Sequence, residues 1–263
     1  MAESTISKVI SKDTITRLLK DVKALRQNPL TENGIYYIHD DTDVLKGYAM
    51  IVGPKDTPYF GGYYFFSLEY PTDYPHMPPK VKFHTNGDNI RFNPNLYKCG
   101  KVCVSLLNTW RGEQWTSCQT ISTVLLTLCI LLCKDPLLNE PGVDKNHKDF
   151  EAYSRIIEYK NIEIACLHMI NKKDTIFSIE FDAFYSHMKE YFEKNINAIM
   201  ENLEKHKRLY VAPEKLMTGL YSMSTILDYN KLYNYFIETK IKVALDNHHN
   251  KENNKENNND NNN

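Results

Sequence analysis

Between residues 70 and 81 the chain reads YPTDYPHMPPKV, with Pro71, Pro75, Pro78 and Pro79. Proline fixes φ and removes a backbone donor, so this stretch can join neither a helix nor the interior of a sheet and must form a rigid loop. Strand-like runs flank it. Residues 62–70 are dense in Tyr and Phe, and residues 80–84 alternate as Lys-Val-Lys-Phe-His, a half-buried strand. Upstream, residues 34–38 are short and aromatic, and residues 46–52 end at Gly53-Pro54. Successive strands joined by short connections imply an antiparallel meander.

Helical patterns bracket these strands. In residues 11–27, Ile15, Leu18, Leu19, Val22 and Leu25 recur at three- and four-residue steps and make one apolar stripe. Asp13 or Thr14 is the expected cap, and Asn28-Pro29 ends the run because the residue before proline disfavours helix. Residues 120–133 are apolar on nearly every side and read as a buried helix, stopped by Asp135-Pro136. Residues 145–169 carry Phe150, Tyr153, Ile156, Ile157 and Ile164 near helical spacing. The composition shifts after Asn171, where residues 181–203 trace an amphipathic helix and residues 231–245 a last one. From His248 the chain is Asn-rich and of low complexity, cannot bury enough apolar surface to fold, and is assigned no structure.

The balance of 32 Lys+Arg against 33 Asp+Glu argues against a general binder of nucleic acid or anionic membrane. The start, MAESTISKVISKD, has no apolar block of signal-peptide length. The most apolar run, residues 124–133, is shorter than the roughly 20 residues a bilayer span needs. The expectation is a soluble intracellular protein, with cytoplasm and nucleus equally open, whose six cysteines are mostly free thiols.

Residues 84–115 show no sustained period, and a long irregular stretch inside a compact domain is usually functional. Its centre, RFNPNLYKCGKVCVSLL, sets Asn95 eight positions before Cys103, with Pro94 and Gly100 between. Cys103 supports two readings: a buried structural thiol, the commoner fate of a lone cysteine, or a thiol that carries an acyl group. Neither His84 nor His147 is placed by spacing as the base a cysteine hydrolase needs. Asn95 is either a turn residue bonding its own backbone or an amide aimed at a developing oxyanion. Cys99 and Cys103, like Cys129 and Cys133, are four apart, which is not the paired-knuckle spacing of zinc sites. Trp110 and Trp115 read as core or lid aromatics. Glu140, in DPLLNEPG, is either a solvated loop acid or a group facing Cys103 that prepares an incoming amine.

Taken in order, these segments resemble the ubiquitin-conjugating enzyme family. PYFGGYYFFSLEYP is similar to its third-strand signature, and YPTDYPHMPPKVKF to its proline loop and fourth strand. NPN at residues 93–95, GKVC ending at Cys103, Trp115, the buried helix and Asp135-Pro136 follow in family order. Asn93 stands where many members have His, NTWRGEQW is longer than in small members, and NEPG is distinctive. These departures resemble the larger Z-type subclass, as, less closely, does the extension beyond Asn171.

The resemblance implies an α+β UBC fold: an N-terminal helix, a four-stranded antiparallel sheet, C-terminal helices and a helical C-terminal extension. Together with the composition shift after Asn171 and the low-complexity end, it divides the chain into an arm (1–10), a conjugating core (11–170), a helical extension (171–247) and a disordered Asn-rich tail (248–263). It implies a transferase in which Cys103 accepts ubiquitin, or a ubiquitin-like protein, from an activating enzyme as a thioester and passes it to a substrate lysine, usually with a ligase. Asn95 takes the role of oxyanion stabiliser or loop-holder, and Glu140 that of the acidic residue near the incoming lysine. ATP is used by the activating enzyme, so no cofactor, metal or ATP site is expected here. The partners implied are the modifier, the activating enzyme, a ligase and the protein substrate, with no nucleic acid and no membrane. The ligase surface departs from small members at His76 and at Thr116, Ser117 and Cys118. The rival is a non-catalytic binding module, which the presence of Cys103 disfavours, since such variants usually lack the cysteine.

Overall fold

The computed structural model describes residues 10–173 and 177–260, with side chains to residue 246. Most of the expected N-terminal arm, residues 1–9, and the last three residues lie outside the described residues.

Helix α1 (Lys12–Gln27) is capped by Ser11, two or three residues ahead of the expected Asp13 or Thr14. Ser11 is extended, and its hydroxyl accepts from Thr14 N at 3.0 Å, which satisfies a first-turn donor. Thr14 is instead buried inside the helix, its hydroxyl 2.9 Å from the carbonyls of Thr72 and Tyr74. Asp21, also buried, accepts from Tyr74 Oη at 2.6 Å and Arg17 Nε at 3.0 Å. Thr14 and Asp21 thus clamp the proline loop onto α1 through three hydrogen bonds.

The strands β1 (Ile35–His39), β2 (Lys46–Val52), β3 (Tyr63–Glu69) and β4 (Lys80–Phe83) form one antiparallel sheet in the order β1-β2-β3-β4. The register sets Ile35 opposite Ile51 and Ile51 opposite Tyr64 on one face, and Met50 opposite Phe65 on the other. Side chains alternate along a strand, so both faces of β3 are apolar only if both are covered. They are: Tyr63, Tyr64, Phe65, Phe66 and Leu68 are each at most 1% exposed.

Helix α2 (Ile121–Leu131) starts at a reciprocal capping box between Thr120 and Thr123. It buries Ile121, Val124, Leu125, Leu128 and Leu131, but Leu126 is 37% and Ile130 74% exposed. The expectation of burial all round is corrected: residues 126 and 130 share the face one turn apart that points away from the sheet.

Helix α3 (Phe150–Lys160) starts later than expected and continues as a π-helical segment, Asn161–His168. The widening coincides with Asn161, whose carboxamide accepts from Tyr64 Oη at 2.6 Å and donates to the Phe60 carbonyl at 2.8 Å. A Cβ on Gly62 would sit 2.0 Å from Asn161 Oδ1, so only glycine lets β3 and this helix approach so closely.

Beyond residue 177, a short 3-10 segment (Ile179–Phe184) leads into α4 (Tyr185–Leu209). These cover the second face of the sheet. Phe181 packs on Phe65 with centroids 4.7 Å apart, and Tyr63 Oη donates to the Met188 carbonyl at 2.8 Å. A hairpin of β5 (Glu214–Thr218) and β6 (Met223–Leu227), absent from the sequence reading, separates α4 from α5 (Tyr229–Asp260). Helical backbone therefore continues past His248, where composition led to no assigned structure. Once Phe236 and Val243 anchor the helix in the core, each further turn is propagated without a new nucleus.

Candidate active site

The eight-residue spacing of Asn95 and Cys103 is that of a small hairpin. Leu96 bridges Val102, Tyr97 N donates to the Lys101 carbonyl at 2.9 Å, and Gly100 closes the turn at φ +90°. A Cβ at Gly100 would lie 2.8 Å from the Phe83 carbonyl, so glycine serves both the turn and the contact with β4. At the open end, Cys103 N donates to the Asn95 carbonyl at 2.9 Å and Asn95 Nδ2 donates to the Cys103 carbonyl at 2.6 Å. The amide and the thiol residue are brought together directly.

Asn93 anchors this hairpin to the helices. It is fully buried, and its Nδ2 donates to the Leu131 carbonyl at 2.7 Å, satisfying a carbonyl at the C-terminus of α2. The same nitrogen is 3.1 Å from Tyr59 Oη, which itself donates to the Phe92 carbonyl at 2.6 Å. Asn93 Oδ1 accepts from Asn95 N at 2.9 Å and from Asn139 Nδ2 at 3.4 Å. Three asparagines, at 93, 95 and 139, thus tie the thiol loop to α2 and to the turn before Glu140.

Cys103 itself is only 3% exposed. Its Sγ–H donates to the Thr109 carbonyl at 2.9 Å. Thr109 is pinned in turn: its Oγ1 accepts from Val104 N at 2.9 Å and lies 3.1 and 3.0 Å from the Val102 and Val104 carbonyls. Asn108, left-handed at φ 57°, accepts from Trp115 N at 2.9 Å. Trp115 is buried and its indole N–H donates to the Pro75 carbonyl at 2.7 Å, whereas Trp110 is 46% exposed. A groove of about 770 Å³ runs from the proline loop to Val102, Leu107, Asn108 and Thr109. Cys103 does not line this groove but lies next to Val102, which does, with its thiol held against the Thr109 carbonyl.

Neither histidine weighed from the sequence hydrogen-bonds Cys103. His84 Nε2 is 2.7 Å from Ser67 Oγ, and His147 Nδ1 accepts from Asp149 N at 3.2 Å. Glu140 is half-buried and forms no hydrogen bond with Cys103 or Asn95. Its Oε2 accepts from Tyr221 Oη at 2.5 Å, in the turn of the β5–β6 hairpin. Tyr221 and Arg91 were not singled out by sequence reasoning. Arg91 lies between the rings of Tyr97 and Tyr221, 3.6 and 4.3 Å from their centroids, and its guanidinium donates to the Pro94 carbonyl. Asn93 carried a signal, an amide where the resembled family often has His, but Tyr221 carried none. Among the described residues no three His, Cys, Asp or Glu side chains converge as a metal site, and no helix is long and apolar enough to cross a membrane. All six cysteines are unpaired.

On the loop between β4 and α2, Cys103 is held beside the Asn95 amide, next to a sheet covered by helices. The family described as "Ubiquitin-conjugating enzyme" matches residues 17–165, and this chain belongs to it. Its relatives include the ubiquitin-conjugating enzyme E2 Z of Homo sapiens, 39% identical over 162 residues, covering 60% of this chain and 45% of that protein. The Xenopus tropicalis protein of the same name is 38% identical over 166 residues, covering 62% of this chain and 52% of that one. A probable ubiquitin-conjugating enzyme protein 17 of Caenorhabditis elegans is 33% identical over 215 residues, 76% of this chain and 28% of that protein. The chain spans about half the length of the E2 Z relatives it matches.

Proposed function

We propose that this chain is a ubiquitin-conjugating transferase in which Cys103 carries ubiquitin, or a ubiquitin-like protein, as a thioester. In loading, Cys103 Sγ attacks the carbonyl carbon of the activating enzyme's thioester, its proton passes to solvent, and the activating enzyme's thiolate departs. In transfer, a substrate lysine nitrogen attacks the Cys103 thioester carbonyl. The C–N bond forms, the C–S bond breaks, Sγ leaves as thiolate, and the surplus amine proton is lost. The observation that carries this reading is a cysteine whose backbone is locked to an asparagine, with no histidine among the described residues bonded to its thiol. A thioester is already activated, so positioning suffices where a hydrolase would need a placed base.

Asn95 holds the loop through its bond to the Cys103 carbonyl, and its amide also offers an N–H to the oxyanion that forms during transfer. Glu140 serves the incoming amine by favouring its charged approach and taking up its proton. Loading requires Cys103 to lose its contact with the Thr109 carbonyl. Exposed His76, Thr116, Ser117 and Cys118 form the face offered to a ligase.

The test is a charging assay. The chain is incubated with activating enzyme, ATP and ubiquitin, then run on a non-reducing gel. The expected result is an adduct that a reductant removes, and a reductant-resistant adduct with Cys103→Ser. Absence of any adduct, with every activating enzyme and ubiquitin-like protein tried, would sink the catalytic reading and favour a binding module.

A further inference from the structure

We propose that Tyr221, carried by the C-terminal extension, is a positioning residue for lysine transfer: it orients Glu140 and braces the Pro94 loop through Arg91. The proposal rests on the transferase reading above and deepens it. Its ground is the turn between β5 and β6, which lies far from Cys103 in sequence but is built against the thiol loop.

Tyr221 and Ser222 adopt φ 62° and 48°, two successive left-handed residues without glycine. Such backbone persists only where the surroundings over-determine it, and it is characteristic of functional sites. Here the turn is held on every side. Lys98 Nζ donates to the Tyr221 carbonyl at 2.6 Å, Leu220 N donates to Asp149 Oδ2 at 2.7 Å, and Thr218 Oγ1 donates to the Leu220 carbonyl at 2.7 Å. The Tyr221 ring meets Tyr153 edge-on at 6.0 Å and lies under the Arg91 guanidinium. Burial first, and then the bond to Glu140, push the Tyr221 phenol well above its ordinary pKa, so it stays a donor.

The hydroxyl so placed reaches Glu140, and two routes lead from Tyr221 to the loop that carries Cys103, one through Glu140 and one through the cation–π contact with Arg91. Glu140 follows Asn139, which donates to Asn93, which in turn accepts from the backbone of Asn95. Arg91, clasped between Tyr97 and Tyr221, donates to the Pro94 carbonyl next to Asn95. A carboxylate in a surface turn would sample several rotamers, and a charge-assisted bond from a fixed phenol confines it. The extension thereby sets the acceptor side of the site without touching Cys103.

The experiment uses the full chain charged with ubiquitin, then chased with free lysine over a concentration series. Tyr221→Phe keeps the ring on Arg91 and removes the bond to Glu140. It is expected to lower the ratio of discharge rate to loading rate, on the order of tenfold, the scale of one hydrogen bond to a charged group. If Tyr221 acts through Glu140, Tyr221→Phe combined with Glu140→Gln discharges no more slowly than Glu140→Gln alone. Wild-type discharge by Tyr221→Phe across the lysine series, or strictly multiplicative effects in the double variant, would overturn the proposal. Wild-type chain that charges normally while either of these holds leaves the transferase reading intact. Wild-type chain that never charges removes both.

Discussion

Asn95 and Cys103 are bonded to each other twice, Cys103 N to the Asn95 carbonyl at 2.9 Å and Asn95 Nδ2 to the Cys103 carbonyl at 2.6 Å. The backbone bond survives any substitution of Asn95, and the side-chain bond does not. Asn95→Ala is therefore expected to keep the hairpin and to load ubiquitin nearly normally. Lysine discharge should slow by about a hundredfold, the cost of about 3 kcal/mol for one lost oxyanion donor. Discharge at the wild-type rate would show that Asn95 is a loop-holder alone.

Asn93 is a structural keystone by the same bonds that make it invisible at the surface. Asn93→Leu would leave the buried Leu131 carbonyl and the partly buried Asn95 N and Asn139 Nδ2 without this partner. Unsatisfied buried polar groups cost about 1–3 kcal/mol each, so a total loss of roughly 3 kcal/mol or more is expected. Thermal unfolding should show a midpoint lower by about 6–12 °C for a chain of this size. A shift of a degree or less would mean that the site relaxes to supply other partners.

Thr109 covers the thiol, and its hydroxyl holds it there. Thr109→Val keeps the shape but removes the acceptor for Val104 N. The residue 108–114 loop should loosen, and Cys103 should react faster with iodoacetamide, read by mass spectrometry against exposed Cys99 and Cys118 as internal references. An unchanged ratio of Cys103 to Cys99 labelling would show that the contact with the Thr109 carbonyl does not limit access.

The parts legible from sequence were those written in local periodicity or in chain chemistry. The strands announced themselves by aromatic density and by the prolines that separate them. Helix α1 showed its stripe, and the Asn95–Cys103 pair its spacing. What stayed hidden depends on long-range contacts. The β5–β6 hairpin carries Lys, Leu and Met, which favour helix, and its inward alternation, Glu214, Leu216 and Thr218 against Met223, Thr225 and Leu227, spans only five residues a strand and includes polar side chains. The outward face of α2 could not be told from the buried one because both are apolar. Tyr221 near Glu140, and Thr109 over Cys103, are juxtapositions that no spacing along the chain encodes.

The extension also makes stability depend on pH, through His84. This ring lies 5.0 Å from Phe181 of the extension, with Nε2 against Ser67. Burial lowers its pKa, with Lys82 adding to the effect and Glu180 opposing it. His39 and His168 are lowered too, first by burial. Below the ordinary value of about 6.5 the unfolded chain takes up protons that the folded chain refuses, so stability falls as pH falls through that window. The loss levels off once pH passes below the folded-state values. It precedes any effect of Glu158, whose pKa, held below its ordinary 4.5 by His206 against the effect of burial, acts only at more acid pH. Urea midpoints are expected to decline steadily from pH 7 to pH 5, and His84→Gln should reduce that decline. Midpoints that stay level over this range would show that the covered sheet face admits a protonated imidazole.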